Sequence, residues 1–273
     1  MKWRGRRKQA GIRHQLSRMT RVAHWAVRIG LILLLVDLFY LMLTWPDWKS
    51  FATGPIPKSN FIREYELKRA EDKGLPPLRW RPVALSSVPK YLIRAVILAE
   101  DARFYEHSGF DLIAFKEAMN YNLAEGRLAL GASTISQQTV KNLFLSPSRN
   151  PLRKWHELVL TWGMERNLKK RRILELYLNI AQFGPGIYGI QAAAQAYFGT
   201  TAEALTPDQA ARLAATLPAP ERHNPATRTN HFERRAQKIL NRLLRYPGDA
   251  ADAINRELDP IRPDNGFENG NGV

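Results

Sequence analysis

The sequence predicts a mainly α-helical domain behind one membrane-crossing helix. Apolar residues recur at helical spacing in segment after segment between 89 and 246, with caps and breakers between them. Convincing period-2 alternation is nearly absent. One apolar run of bilayer length follows a basic amino-terminal flank. With 273 residues and 45% hydrophobic content, the chain can bury one sizeable core, with length left for an anchor and a tail but not for a second large catalytic domain. Cysteine is absent, which excludes disulfides and thiolate metal sites. Forty-one Lys and Arg against 25 Asp and Glu leave +16, a charge that implies an anionic partner such as nucleic acid, a lipid surface or a phosphorylated substrate.

The first 28 residues carry nine Lys or Arg and no acid. A span from about Val22 to Trp45 follows, long enough to cross a bilayer. Arg28 can snorkel, whereas Asp37 near the middle costs roughly 3 kcal/mol on insertion scales. No small-x-small cleavage site follows the run, and Tyr40, Trp45 and Trp48 form an interfacial aromatic belt, so the run reads as an uncleaved anchor over 25–46. The basic flank places residues 1–24 in the cytoplasm and residues from about 47 onward outside.

Residues 47–87 are rich in Pro and read as a linker leading into the domain, with a short helical turn near Phe61–Leu67 and an extended piece from Arg79. Ser87-Val-Pro-Lys90 matches an acyl-enzyme Ser-x-x-Lys string, but Pro89 lies inside it and no Lys-Thr-Gly follows. The domain is expected over 88–250 and a disordered tail over 251–273.

A helix is expected from Pro89, capped by Ser86 or Ser87, with Leu92, Val96 and Ala99 on one face. Glu100 falls at the margin of that face, where partial desolvation raises a carboxyl pKa into the range of a general acid or base. The same position also suits a carboxylate ending a helix in solvent. Residues 111–125 form a second helix, and Gly131 breaks before Ser133-Thr134-x-x-Gln137, a capping box that opens a third. Its amino terminus suits a phosphate oxygen, with Gln137 and Lys141 on one face, although a solvated polar surface fits equally. In the helix Leu152–Leu168, Trp155, Leu158, Val159 and Trp162 make a core stripe. Arg153 and Glu157 stand elsewhere on it, as a surface ion pair or as a cleft acid oriented by a cation. Lys169–Arg172 begins the next helix and suits lipid phosphates. A tight loop over Gly184–Gly189, a helix closed by Gly199, a Thr206-capped helix to Leu217 and a basic amphipathic helix His231–Tyr246 complete the domain.

Several of these strings are similar, in order, to the motifs of the peptidoglycan glycosyltransferases of family 51. They are Arg94–Asp111 with Glu100-Asp101-x-x-Phe104-x-x-His107, Gly131–Asn142, Arg153–Glu157, Ile173–Asn179 and Leu213–Pro218. The resemblance covers about Val88 to Pro220, and the single anchor without a transpeptidase domain points to monofunctional members. It implies a lysozyme-like lobe with a small membrane-proximal jaw lobe, and polymerisation of lipid II outside the inner membrane with inversion and release of undecaprenyl diphosphate. By that resemblance Glu100 is the general base, while Glu157 orients or stabilises the leaving diphosphate; no tightly bound cofactor is implied, at most a transient divalent cation, Mg2+ or Mn2+, near Glu157. Lys141, Arg149 and Arg153 neutralise the diphosphate. Ser133, Gln137 and Gln138 line the donor site, and Asp101, Phe104 and His107 hold the cleft in shape. The implied partners are lipid II, the growing strand, the membrane and cell-wall or division proteins, and not nucleic acid.

Three departures from the family's pattern involve four positions. Leu168-Lys169 replaces an aromatic and a hydroxyl residue, Gln182 stands where Glu is common, and Asp37 interrupts the span. A lytic transglycosylase or muramidase would share the lobe and one Glu but does not explain Lys141 and Arg149. A non-catalytic membrane-tethered scaffold would not need both acids.

Overall fold

In the computed structural model, residues 3–127, 131–148 and 150–245 are described, with side chains described from residue 23 onward. Arg149 and the expected tail 251–273 lie outside the described residues. The chain forms two compact units, Met1–Asp47 and Trp48–Val273. The first is the helix α1 (Trp3–Leu43), whose segment Ala23–Leu43 is long and apolar enough to cross a membrane.

The second unit holds α2 (Trp48–Thr53), α3 (Asn60–Glu71), α4 (Lys90–Glu100), α5 (Leu112–Glu125), α6 (Ile135–Phe144), α7 (Pro151–Asn167), α8 (Lys170–Ile180), α9 (Ile190–Phe198), α10 (Pro207–Thr216) and α11 (Asn230–Arg245). The fold is mainly α, as expected. Three short strands, β1 (Arg79–Trp80), β2 (Gln182–Gly184) and β3 (Ile187–Tyr188), make one small sheet in the order β1-β3-β2. The stretch expected as a tight loop after Gln182 is therefore a bulged hairpin, joined in parallel by β1.

Residues 47–87 do more than link. Trp48, Ile62 and Leu85 are buried, and Trp48, Phe51 and Phe144 stack edge to face. Arg172 fastens this stretch to α8 by donating to the carbonyls of Phe51 and Gly54 while pairing with Glu175, whose other oxygen accepts from Leu85 N–H at 2.8 Å. The run Lys169–Arg172 therefore does not simply face an anionic surface, because Lys170 also turns inward to Glu165 at 2.8 Å. The cap of α4 is likewise corrected. Ser86 and Ser87 belong to a 3-10 turn, and Pro89 precedes the helix without a side-chain cap.

The central helices are buried almost all round, α4 from Leu92 to Ile97 and α8 from Ile173 to Ile180 except Glu175. Helix α10, rich in buried Ala, packs against both α4 and α11, the small side chains letting the backbones approach. The phase expected for α7 is wrong. Trp155 and Trp162 are 41% and 50% exposed, whereas Glu157, Leu160, Thr161 and Met164 are buried. The period is helical, but the face that packs on α6 carries the acid and not the tryptophans.

Gly189 opens α9 with φ 80° and ψ 151°, a region essentially restricted to glycine, and a Cβ there would sit 2.7 Å from the Asn179 carbonyl oxygen. Asn179 is buried and holds Val83 N–H at 2.8 Å and its carbonyl at 2.9 Å. Gly189→Ala is therefore expected to cost about 3 kcal/mol or more, read as a lower midpoint in thermal or denaturant unfolding.

Candidate active site

Glu100 is the last residue of α4, and the chain turns away at Asp101, so the carboxylate projects from the helix end. It does not stand in solvent. Its side chain is 8% exposed, Oε2 accepts from Gln138 Nε2 at 2.9 Å, and Oε1 accepts from Arg235 Nη2 at 3.1 Å. Burial raises its pKa, and the donors Gln138 and Arg235 with the charge of Lys141 offset only part of that. A carboxylate whose pKa is raised by burial is a stronger proton acceptor than one in water, as a general base requires.

Asp101 faces the other way. Its Oδ1 accepts from His107 Nε2 at 2.9 Å, and the Gly109 N–H donates to Nδ1 at 3.1 Å, which fixes the proton on Nε2. Its Oδ2 accepts from the Ile135 N–H at 2.9 Å, the first amide of α6. The capping box at Thr134 and Gln137 takes the next donors. The amino terminus of α6, expected to meet a substrate phosphate, already holds the carboxylate of Asp101. Gln137 spends its carbonyl on the cap, and it is Gln138, one position further round, that reaches the Glu100 carboxylate. Asp101, His107 and Asp111 also place ligand atoms within 4.8 Å of one another, but Asp111 is held at 2.9 Å through both oxygens by Arg103 and caps α5, so this group ties loop to helix. Phe104 is fully buried beneath the Lys170 ammonium, 4.5 Å from the ring centre, and serves the core.

Glu157 is 3% exposed on the buried face of α7. Oε2 accepts from Arg153 at 3.0 Å, and Oε1 accepts from Lys154. Of the two arrangements that the spacing allows, the buried one is observed, and Lys154 joins it. A divalent cation beside Glu157 does not fit this donor set, since both oxygens are engaged by cations. Lys141 lies within the field of both acids. Burial lowers its pKa, Glu157 and Glu100 raise it, and Arg153 and Lys154 lower it. Its ammonium also sits 6.0 Å from the centre of the Phe61 ring of α3. Ser133 and Gln137 line a groove of about 1010 Å3 whose walls are largely apolar, with Phe115, Met119, Leu123 and Leu158 among them and Lys154 at its edge.

A family model described as Transglycosylase matches residues 75–244, well over half of the chain. The chain belongs to the transglycosylase family. Proteins called biosynthetic peptidoglycan transglycosylase are similar to it. That of Thiobacillus denitrificans is 41% identical over 229 residues, 83% of this chain and 94% of the relative. Those of Nitrosospira multiformis, 41% over 188 residues (68% and 82%), and Bdellovibrio bacteriovorus, 38% over 237 (87% and 92%), are comparable.

Around Glu100 this transglycosylase has two further neighbours that sequence reasoning missed. Tyr177, 1% exposed, donates its hydroxyl to Gln138 Oε1 at 3.1 Å. Arg235 comes from α11, beyond the matched strings. A buried Tyr in the α8 stripe was the one available signal, since its hydroxyl needs a partner. Nothing local marks Arg235 among the other cations of α11.

Proposed function

We propose that the chain is a monofunctional peptidoglycan glycosyltransferase that polymerises lipid II into glycan strands for cell-wall synthesis. The observation that carries the reading is a buried carboxylate with a raised pKa, Glu100, sharing one site with a cluster of cations around Glu157. Glu100 takes the proton from the acceptor's 4-hydroxyl. The oxygen forms a bond to the anomeric carbon of the strand's terminal sugar with inversion, and the bond to the polyprenyl diphosphate breaks, its electron pair leaving on the diphosphate. Lys141, Arg153 and Lys154 neutralise that charge. Glu157 keeps Arg153 and Lys154 in place, so these side chains take the part that the resemblance gave to a metal ion, and no step is routed through one. Arg149 remains a further proposed cation of the same site.

The apolar groove between α5 and α7 suits the prenyl chain of the donor. Leu112, Ile113, Phe115 and Leu123 are all more than half exposed on α5, an apolar surface that suits a jaw lobe lying in the membrane interface. The anchor helix Ala23–Leu43 with its basic flank supports a single-pass inner-membrane protein, amino end cytoplasmic and catalytic domain periplasmic.

The test is incubation of the detergent-solubilised full chain with labelled lipid II. Glycan ladders with release of polyprenyl diphosphate are expected. Shortening of preformed glycan without polymer would favour the lytic reading and overturn this one.

A further inference from the structure

Glu100 has both oxygens engaged, and neither donor is free to choose its direction. Gln138 presents its N–H to Oε2 while its carbonyl accepts from the Tyr177 hydroxyl, at 3.1 Å. An amide turned over would set its oxygen against the carboxylate and lose that bond, so the carboxylate fixes the amide and the Tyr177 hydroxyl donates to the oxygen left facing it. Arg235 is anchored as firmly, with Nη2 shared between Glu100 Oε1 and the Ala99 carbonyl, each at 3.1 Å. Its Nε is buried without a hydrogen-bond partner. The guanidinium is held instead through its Nη2 bonds to the Glu100 carboxylate and the Ala99 carbonyl.

We infer that Tyr177, acting through Gln138, and Arg235 are positioning residues that hold the Glu100 carboxylate from both sides in the orientation of a general base. The inference rests on the reading of Glu100 given above. One hydrogen bond on each oxygen leaves the remaining lone pairs for an incoming hydroxyl proton, and two anchors from different helices prevent the carboxylate from rotating.

Among the described residues, the charged and titratable groups that act on Glu100 are Lys141 from α6, Tyr177 from α8 and Arg235 from α11, beside the neutral amide of Gln138, while Arg242 donates to Leu98 O at 3.3 Å. On its own side Asp101 is held by His107. The charged residues of α10 are committed elsewhere, Arg212 pairing with Asp208 and with Glu233 of α11. Arg235 and Gln138 both favour the ionised form of Glu100, so removal of either effect raises its pKa.

The experiment is the pH dependence of lipid II polymerisation by the full chain, for the parent, Tyr177→Phe, Arg235→Met, Arg235→Lys and Glu100→Gln. For Arg235→Met the acidic limb of the rate profile is expected to move to higher pH. In Tyr177→Phe a smaller shift in the same direction is expected. Both should lower kcat with KM unchanged, and Arg235→Lys should restore most of the limb. Tyr177 is fully buried, so the Arg235 pair, a third exposed, decides the matter if Tyr177→Phe fails to fold by its melting curve. Folded Arg235 variants with the parent's pH profile, beside an inactive Glu100→Gln, would overturn the inference alone. An active Glu100→Gln would overturn the reading beneath it.

Discussion

Glu100→Gln is expected to lower polymerisation by about 10²- to 10⁴-fold, the range for a positioned general base, while the protein becomes more stable near neutral pH. The two effects share one cause. The site holds Glu100 for its chemistry against the cost of burying an ionised carboxylate, and burial outweighs Gln138, Arg235 and Lys141 in setting its pKa. Its folded-state pKa thus lies above the unfolded value. Such a group contributes stability that is fully present below the unfolded pKa and is lost as pH rises through the folded one. Gln does not titrate, so the variant's melting midpoint should exceed the parent's at neutral pH, and the gain should disappear below the ordinary glutamate range. A variant that melts lower than the parent at neutral pH would show that the bond to Arg235 outweighs burial. Retained polymerisation would remove Glu100 from the reaction altogether.

Glu157→Gln should damage both stability and turnover. It removes the anion that Arg153 and Lys154 share on the buried face of α7, and one of the two that keep Lys141 charged. Breaking a buried pair from one side costs about 3 to 5 kcal/mol, and the low end applies because the Lys154 side chain is 45% exposed and can move to water. Without Glu157 the pKa of Lys141 falls further, since Glu157 is the largest influence raising it. Polymerisation should drop by about 10²- to 10³-fold if the cations neutralise charge in the transition state. Denaturant unfolding and initial rates with labelled lipid II check the two halves. A stable variant with parental turnover would place the cluster outside the donor site.

Much of the helical architecture was legible because caps and breakers act locally. Thr134 with Gln137, Thr206 with Gln209, and Gly199 after α9 all occupy the positions their chemistry predicts. The placement of Glu100 at the end of an apolar helix was legible for the same reason, and its burial proved deeper than a helix margin suggests. What misled was a feature read without its neighbours. The tryptophans of α7 have the spacing of a core stripe, yet a stripe does not say which face the partner helices will cover. The amino terminus of α6 looked vacant until Asp101 was seen to fill it, from a turn 34 residues earlier.

The sequence by itself determined the class of the protein. Bilayer-length hydropathy, cap chemistry, an excess of cations and two well-placed acids are properties of short segments and totals, and segments carry them into any fold. Only the tertiary structure decided how the acids are held. Tyr177 and Arg235 reach Glu100 across 39 residues to Gln138 and 135 to the carboxylate, and the small sheet pairs Arg79 with Ile187. Hydrogen bonds and ion pairs depend on ångström-scale distances in a desolvated interior, and those distances are set by packing between helices far apart in the chain, which no local pattern encodes.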